Sequence, residues 1–319
     1  MSHKTTTSLV IGNGFDVDLG LKTRYSDFAR DTGFFPNNLK SNLSQHINEQ
    51  SLCPDWGGIE TSMEEYALLP LSEHTFEEDR KYFDSLKTSL RLFLHNKLFG
   101  SPKHFGEKEE EPIFDNESKI NGDSCAYHLC YRLLHSDSLD NIITFNYTDI
   151  WRYIRQIGNN INEPNIESIT SDYISKRTFV HRVDDTMILG ISGDARLEDE
   201  RYNFIKKTHQ AIIPPIFDKL LSSDNIVFYG LSFSKPDYPY FKDFFNIIAE
   251  RGSHIGAKNI FIVSKDDTSF WKCMFEIESM LNGDLARIMN KNNITQINTN
   301  KGVFSKGLPQ LLNLFPEIR

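Results

Sequence analysis

SLVIGNGFDVDLGLKTRYSDF, from Ser8 to Phe28, decides how the rest of the chain is read. It opens with Ser8-Leu9-Val10-Ile11, a short apolar run with the length and β-branched content of a buried strand. Gly12-Asn13-Gly14 and Phe15-Asp16 follow at once, and then a segment able to start a helix. Strand, glycine turn and helix start together make an anion-binding device. Glycine lets the backbone turn sharply and approach a ligand, and free N–H groups at a helix start attract phosphate. The third glycine of a GxGxxG dinucleotide fingerprint is missing, because Val17 stands in its place. Asp16 and Asp18 read as candidate acids, with capping of the first helix as the plainer role for Asp16.

Five further apolar runs have strand character: Asn141 to Phe145, Thr178 to His181, Met187 to Ile191, Asn225 to Gly230 and Lys258 to Ser264. Ile294 to Ile297 adds a short last one. The strands alternate with segments of helical spacing, which predicts an α/β fold: a mostly parallel sheet with helices on both faces, Rossmann-like. The clearest helix spans Thr75 to Phe99, where apolar residues recur at three- and four-residue steps and Thr75 with Glu78 gives a capping-box pattern. A second helix is expected from Ser124 to His135. We read one domain over 1–319, with 36–122 as a helical insertion laid over the mouth of the sheet. The acidic, proline-containing stretch from Gly106 to Gly122 reads as a surface loop.

A net charge of −9 and a pI near 5.6 argue against a protein that coats nucleic acid nonspecifically. Four scattered cysteines, Cys53, Cys125, Cys130 and Cys273, lack zinc spacing and read as reduced thiols. No metal is expected, and no HExxH, GxSxG or Walker A pattern occurs. The amino terminus has no signal-peptide run and no stretch approaches a membrane span, which predicts a soluble cytoplasmic protein.

In a parallel sheet every carboxyl end lies on one edge, where ligands bind in open α/β folds. Four strand ends there carry polar groups: Gly12-Asn13-Gly14, Asn146, His181 and Gly230-Leu231-Ser232. An asparagine at a strand end is more often a turn residue bonded to its own backbone. A single histidine among ten is more often a satisfied polar residue.

GNGFD with its glycine-leucine pair and YxxF end, TFNYT at Thr144 to Thr148, ILG at Ile188 to Gly190, Gln210, and YGLSFSKPDYPYF at Tyr229 to Phe241 resemble, in order, the signature blocks of the AbiH abortive-infection family. The opening is also distantly similar to that of sirtuin-like NAD-consuming domains. The resemblance implies an anti-phage effector that binds NAD, as substrate or ligand, and hydrolyses it to nicotinamide and ADP-ribose. It implies Asn146 and His181 as the catalytic pair, with Gly12, Asn13, Gly14, Phe15, Asp16, Thr23, Tyr25, Thr144, Gly230, Ser232 and Asp237 around the nucleotide. Asparagine would place the ribose or a water, and histidine, whose ordinary pKa lies near neutrality, would accept a proton. The family pattern His-Gly is broken here by Arg182. That break favours the alternative: a nucleotide-binding sensor without turnover, whose insertion recognises a phage or host protein. Nuclease action is disfavoured by the lack of a compact carboxylate cluster for two metals. A homo-oligomer is compatible with either reading.

Overall fold

The computed structural model of the protein describes residues 5–31, 33, 35–36, 40–49, 56–70, 75–99, 120–148, 150–161, 163, 169, 172, 175–180, 182–183, 186–193, 195–209, 215–250, 256–281 and 283–317. Strands β1 (Thr7–Ile11), β2 (Asn141–Thr144), β3 (Arg177–Phe179), β6 (Asn225–Tyr229), β7 (Asn259–Ser264) and β8 (Asn293–Asn298) form one sheet in the order β3-β2-β1-β6-β7-β8. Every neighbouring pair is parallel, with Ile11 opposite Thr144 on one side and Tyr229 on the other. β4 (Arg182–Val183) and β5 (Thr186–Met187) make a separate antiparallel ribbon.

Side chains alternate across a strand, so a strand buried on both faces must be apolar throughout. Leu9 and Ile11 of β1, Val227 and Tyr229 of β6, and Phe261 and Val263 of β7 enter one core. Val10, Ile226, Phe228, Ile260 and Ile262 enter the other. Each such aliphatic side chain contributes about 1.5–3 kcal/mol when fully buried.

The first core is covered by α1 (Gly14–Asp18), α2 (Tyr25–Ala29), α3 (Asn42–Glu49), α4 (Trp56–Ala67), α5 (Phe76–Phe99), α6 (Cys125–Leu134), α7 (Ile150–Asn160) and α12 (Leu308–Leu312). The second is covered by α8 (Phe217–Ser222), α9 (Tyr238–Ala249), α10 (Asp267–Met280) and α11 (Leu285–Lys291). From β1 the chain winds outward to β2 and β3 with its crossings on the first face. It then returns beside β1 as β6 and winds the other way on the second face. The fold is therefore a doubly wound, Rossmann-like α/β sheet, and the reversal lies between β1 and β6.

The structure departs from the sequence expectations at several elements. The reach-back carboxylate at the start of α5 belongs to Asp79, not Glu78: Asp79 Oδ2 accepts from the Thr75 N–H at 3.1 Å, and Thr75 Oγ1 donates to Asp79 Oδ1 at 3.0 Å. The run Met187 to Ile191 does not join the main sheet. Met187 pairs with Arg182, while Ile188, Leu189 and Ile191 fill the core without a main-sheet strand to pair with. Helix α3 occupies a stretch that reads as polar, and α10 one that shows no single apolar face. Cys53 and the acidic stretch 106–119 lie outside the described residues.

Candidate functional site

The end of β1 runs into the switch point with its backbone already engaged. Gly12 N–H donates to the Tyr229 carbonyl at 2.8 Å, Gly14 N–H to the Gly230 carbonyl at 3.0 Å, and Phe15 N–H back to the Gly12 carbonyl at 3.0 Å. The three glycines make this approach possible. A β-carbon on Gly12 would stand 2.6 Å from the Gly230 carbonyl oxygen, and one on Gly230 would stand 2.5 Å from Gly14 Cα. Gly230 also has φ +65°, which glycine adopts without a steric penalty. Two loops thus close on each other at the reversal point. The Gly14 N–H serves that joint, and the Phe15 N–H closes the turn itself.

Helix α1 then turns two acids inward. Asp16 does not cap its helix. Its Oδ1 accepts from Asn146 Nδ2 at 3.1 Å, and its Oδ2 from Thr148 Oγ1 at 2.6 Å. The GNGFD turn is thereby joined to the TFNYT exit of β2. Asp18 Oδ2 accepts from Tyr229 O–H at 2.6 Å and from the Ala126 N–H at 2.8 Å, joining the same helix to β6 and α6. Burial pushes Asp16 up to about 7, against the lowering effect of its hydrogen bonds from Thr148 and Asn146. Asp18 is raised for the same reason, in part offset by Tyr229.

Asn146 is buried at the exit of β2, its backbone N–H fixed by Thr144 Oγ1 at 3.1 Å. Because its amide nitrogen faces the Asp16 carboxylate, its carbonyl Oδ1 faces away, and among the described residues that oxygen has no hydrogen-bond partner. An unmatched buried carbonyl is costly unless something else meets it.

A second charged group lies along the same edge. Lys207 Nζ stands 2.8 Å from Glu60 Oε1 with both side chains buried. Glu60 comes from α4, which packs against the 3-10 turn Lys235–Asp237. Burial pushes Glu60 up to about 7 while Lys207 pulls it down, and nearby Asp237 adds to the rise. Asp237 is itself raised by burial and opposed by Lys207, and its Oδ2 accepts from Ser234 Oγ at 3.3 Å. Between the two groups, Tyr147 donates to the Ile188 carbonyl at 3.2 Å.

The remaining predicted site residues are divided among the turn, the core and the loop after β6. Asn13 Oδ1 accepts from the buried Thr23 hydroxyl at 2.8 Å, which stiffens the turn. Phe15 and Tyr25 are fully buried, Phe15 against Tyr229 at 4.9 Å and Tyr25 among Phe28 and Phe35. Ser232 is exposed on the loop after β6. The same loop holds Phe233 at φ +53°, a strained conformation for a bulky residue, kept by its ring packing on Phe228 and Phe241. Phe145 packs on Tyr240 and Phe241, each at 5.2 Å, so the second motif is also tied to the last. His181 and Gln210 lie outside the described residues. Thr148, Glu60 and Lys207 were not singled out from the sequence. Thr148 sits within TFNYT, whereas the Glu60–Lys207 pair leaves no local spacing signal.

Among the described residues no group of three or more His, Cys, Asp or Glu side chains is placed to hold a metal ion, and no helix is long and apolar enough to cross a membrane. Cys125, Cys130 and Cys273 are buried free thiols.

A doubly wound parallel sheet, with buried acids and an amide gathered at the carboxyl edge of its reversal point, places the protein in the class of Rossmann-like α/β folds. A sequence profile of the family described as bacteriophage abortive infection AbiH matches residues 9–256. The chain belongs to the AbiH family, which gives it an expected role in abortive infection by phage. No curated protein and no solved structure matched it.

Proposed function

We propose that this AbiH protein is an anti-phage effector that binds a nucleotide at the carboxyl edge and hydrolyses NAD to nicotinamide and ADP-ribose. The observation that carries the reading is the buried Asn146 amide, held by Asp16 with its carbonyl oxygen unmatched. Such an oxygen suits a water or a ribose hydroxyl. In the reaction, water attacks the anomeric carbon, the glycosidic C–N bond breaks toward nicotinamide, and the water's proton passes to a base. His181 is assigned that base on the family resemblance alone. The insertion, through Glu60 and its neighbours, covers the same edge as a lid.

One observation favours a second reading, a nucleotide sensor without turnover. Arg182 stands where the family pattern has a glycine, and a β-carbon there narrows the backbone's approach to a ribose. The experiment is NAD consumption by the purified protein beside Asn146→Ala and His181→Ala, with nicotinamide and ADP-ribose followed as products. Turnover by the parent and by neither variant supports the glycohydrolase. Binding of NAD or ADP-ribose with no turnover, phage lysate included, moves the reading to the sensor. Neither binding nor turnover refutes both.

A further inference from the structure

The role of Asp16 deepens the nucleotide reading of this edge and rests on it. Its two carboxylate oxygens have different tasks: one accepts from Asn146 Nδ2, the other from Thr148 Oγ1. An ionised carboxylate only accepts hydrogen bonds. Asn146 must therefore turn its NH2 inward and its carbonyl outward, as the unmatched Oδ1 records. An asparagine amide not held in this way can rotate by half a turn and present either end.

We propose that Asp16 is the positioning residue for Asn146, and that it makes the site select a ligand group that donates a hydrogen bond, a hydroxyl or a bound water. Protonation removes that control. A neutral Asp16 can donate as well as accept, so it bonds either end of the amide and the carbonyl is no longer held outward. Burial, which raises the Asp16 carboxyl to about 7, brings this change into the physiological range. The groups facing Asp16 are Asn146 and Thr148 from the exit of β2, Tyr153 from α7 and the Cys130 thiol from α6. Burial keeps that thiol in its neutral form. Asp18, on the same helix, is engaged with Tyr229 and Ala126.

The test is ADP-ribose and NAD affinity by calorimetry between pH 6 and 8 for the parent, Asp16→Asn, Asn146→Ala and the double variant. If only the ionised form is competent, the parent loses about tenfold in affinity on going from pH 8 to pH 6. Asp16→Asn, close in shape but without a titrating proton, binds more weakly at pH 8 and with no such dependence. The double variant binds no worse than Asn146→Ala, because Asp16 acts through Asn146. A pH dependence kept in Asp16→Asn, or additive losses in the double variant, overturns the proposal. A parent that binds neither nucleotide refutes the nucleotide reading instead, and the positioning role is then decided without ligand. In protein labelled with 15N at asparagine, the side-chain NH2 signal absent from Asn146→Ala moves with pH near neutrality in the parent and stays fixed in Asp16→Asn. A signal that does not move in the parent overturns the proposal.

Discussion

Gly230→Ala separates the steric demand of the switch-point joint from the ordinary cost of a left-handed residue. At φ +65° an alanine carries a backbone penalty of about 1–2 kcal/mol. Its β-carbon would also lie 2.5 Å from Gly14 C, Gly14 Cα and Phe15 N. All three are backbone atoms, so no flexible side chain can give way. Relief requires moving the loop after β6 away from the turn after β1, at an over-packing cost of about 1–3 kcal/mol. The combined loss is about 2–5 kcal/mol, a large share of a marginal total stability. Gly283→Ala is the matched control: φ is +89°, yet nothing stands within 4 Å of the added carbon, so only the backbone penalty applies. Gly122→Ala, with open space and no positive φ, should change stability by less than about 1 kcal/mol. Urea midpoints at equal slope give the three values. If Gly230→Ala costs no more than Gly283→Ala, the close approach of the two loops is wrong.

Two further outcomes concern buried charge. Lys207→Met strands Glu60 in the interior and should cost about 3–5 kcal/mol at pH 8, with much of the loss recovered in Lys207→Met/Glu60→Gln. Because the folded-state pKa of Glu60 is raised from 4.5 to about 7, the native state takes up its proton first. Stability from this group therefore rises as pH falls from 7 toward 4.5, and Glu60→Gln should flatten that rise in a pH series of urea midpoints. Asp79 has the opposite sign. Burial pushes its carboxyl up, but hydrogen bonds from Tyr202 at 2.5 Å, Tyr66 at 2.6 Å and the Leu43 N–H at 2.9 Å outweigh it and hold the pKa below 3.8. Its contribution is complete above 3.8 and is lost as pH falls through the lower folded-state value. Asp79→Ala should cost about 3–5 kcal/mol at pH 7 by thermal or urea unfolding and should weaken the acid-limb loss of stability.

The sheet was legible because its strands are buried on both faces, which leaves runs such as Leu9-Val10-Ile11 and Ile260-Phe261-Ile262 apolar at every position. Helix α5 was legible for the complementary reason, one apolar stripe on a polar helix. Helix α10 was not. Phe270, Cys273, Met274 and Ile277 face the core, but Trp271 and Phe275 are 50% and 61% exposed, so no single face stands out. Helix α3 carries local signals, Leu43 and Ile47 on one face and Ser41 with Ser44 in a reciprocal cap, but they are set in an otherwise polar stretch. Its Leu43 N–H is met by Asp79 on α5, a tertiary partner that propensity cannot register. At the site, strand ends identified Asn146 and the glycines, because topology alone sends them to one edge. Glu60 and Lys207 meet only through the fold, and no spacing between them could signal it.

The geometry also assigns the two acids of GNGFDVD different tasks. Two residues apart on a short helix, Asp16 and Asp18 point to different neighbours: Asp16 toward Asn146 and Thr148 beyond β2, Asp18 toward Tyr229 at the end of β6. Those strands flank β1 on opposite sides. Helix α1 therefore bridges both halves of the doubly wound sheet at the place where their windings diverge, and the glycine joint draws it close enough to do so. Asp18 meets a phenol and a backbone N–H, both of which it satisfies. Asp16 meets an amide whose far end remains open. Replacing Asp18 should thus loosen the junction of β6 with α6 and appear in stability, whereas replacing Asp16 should appear first in what the edge can bind.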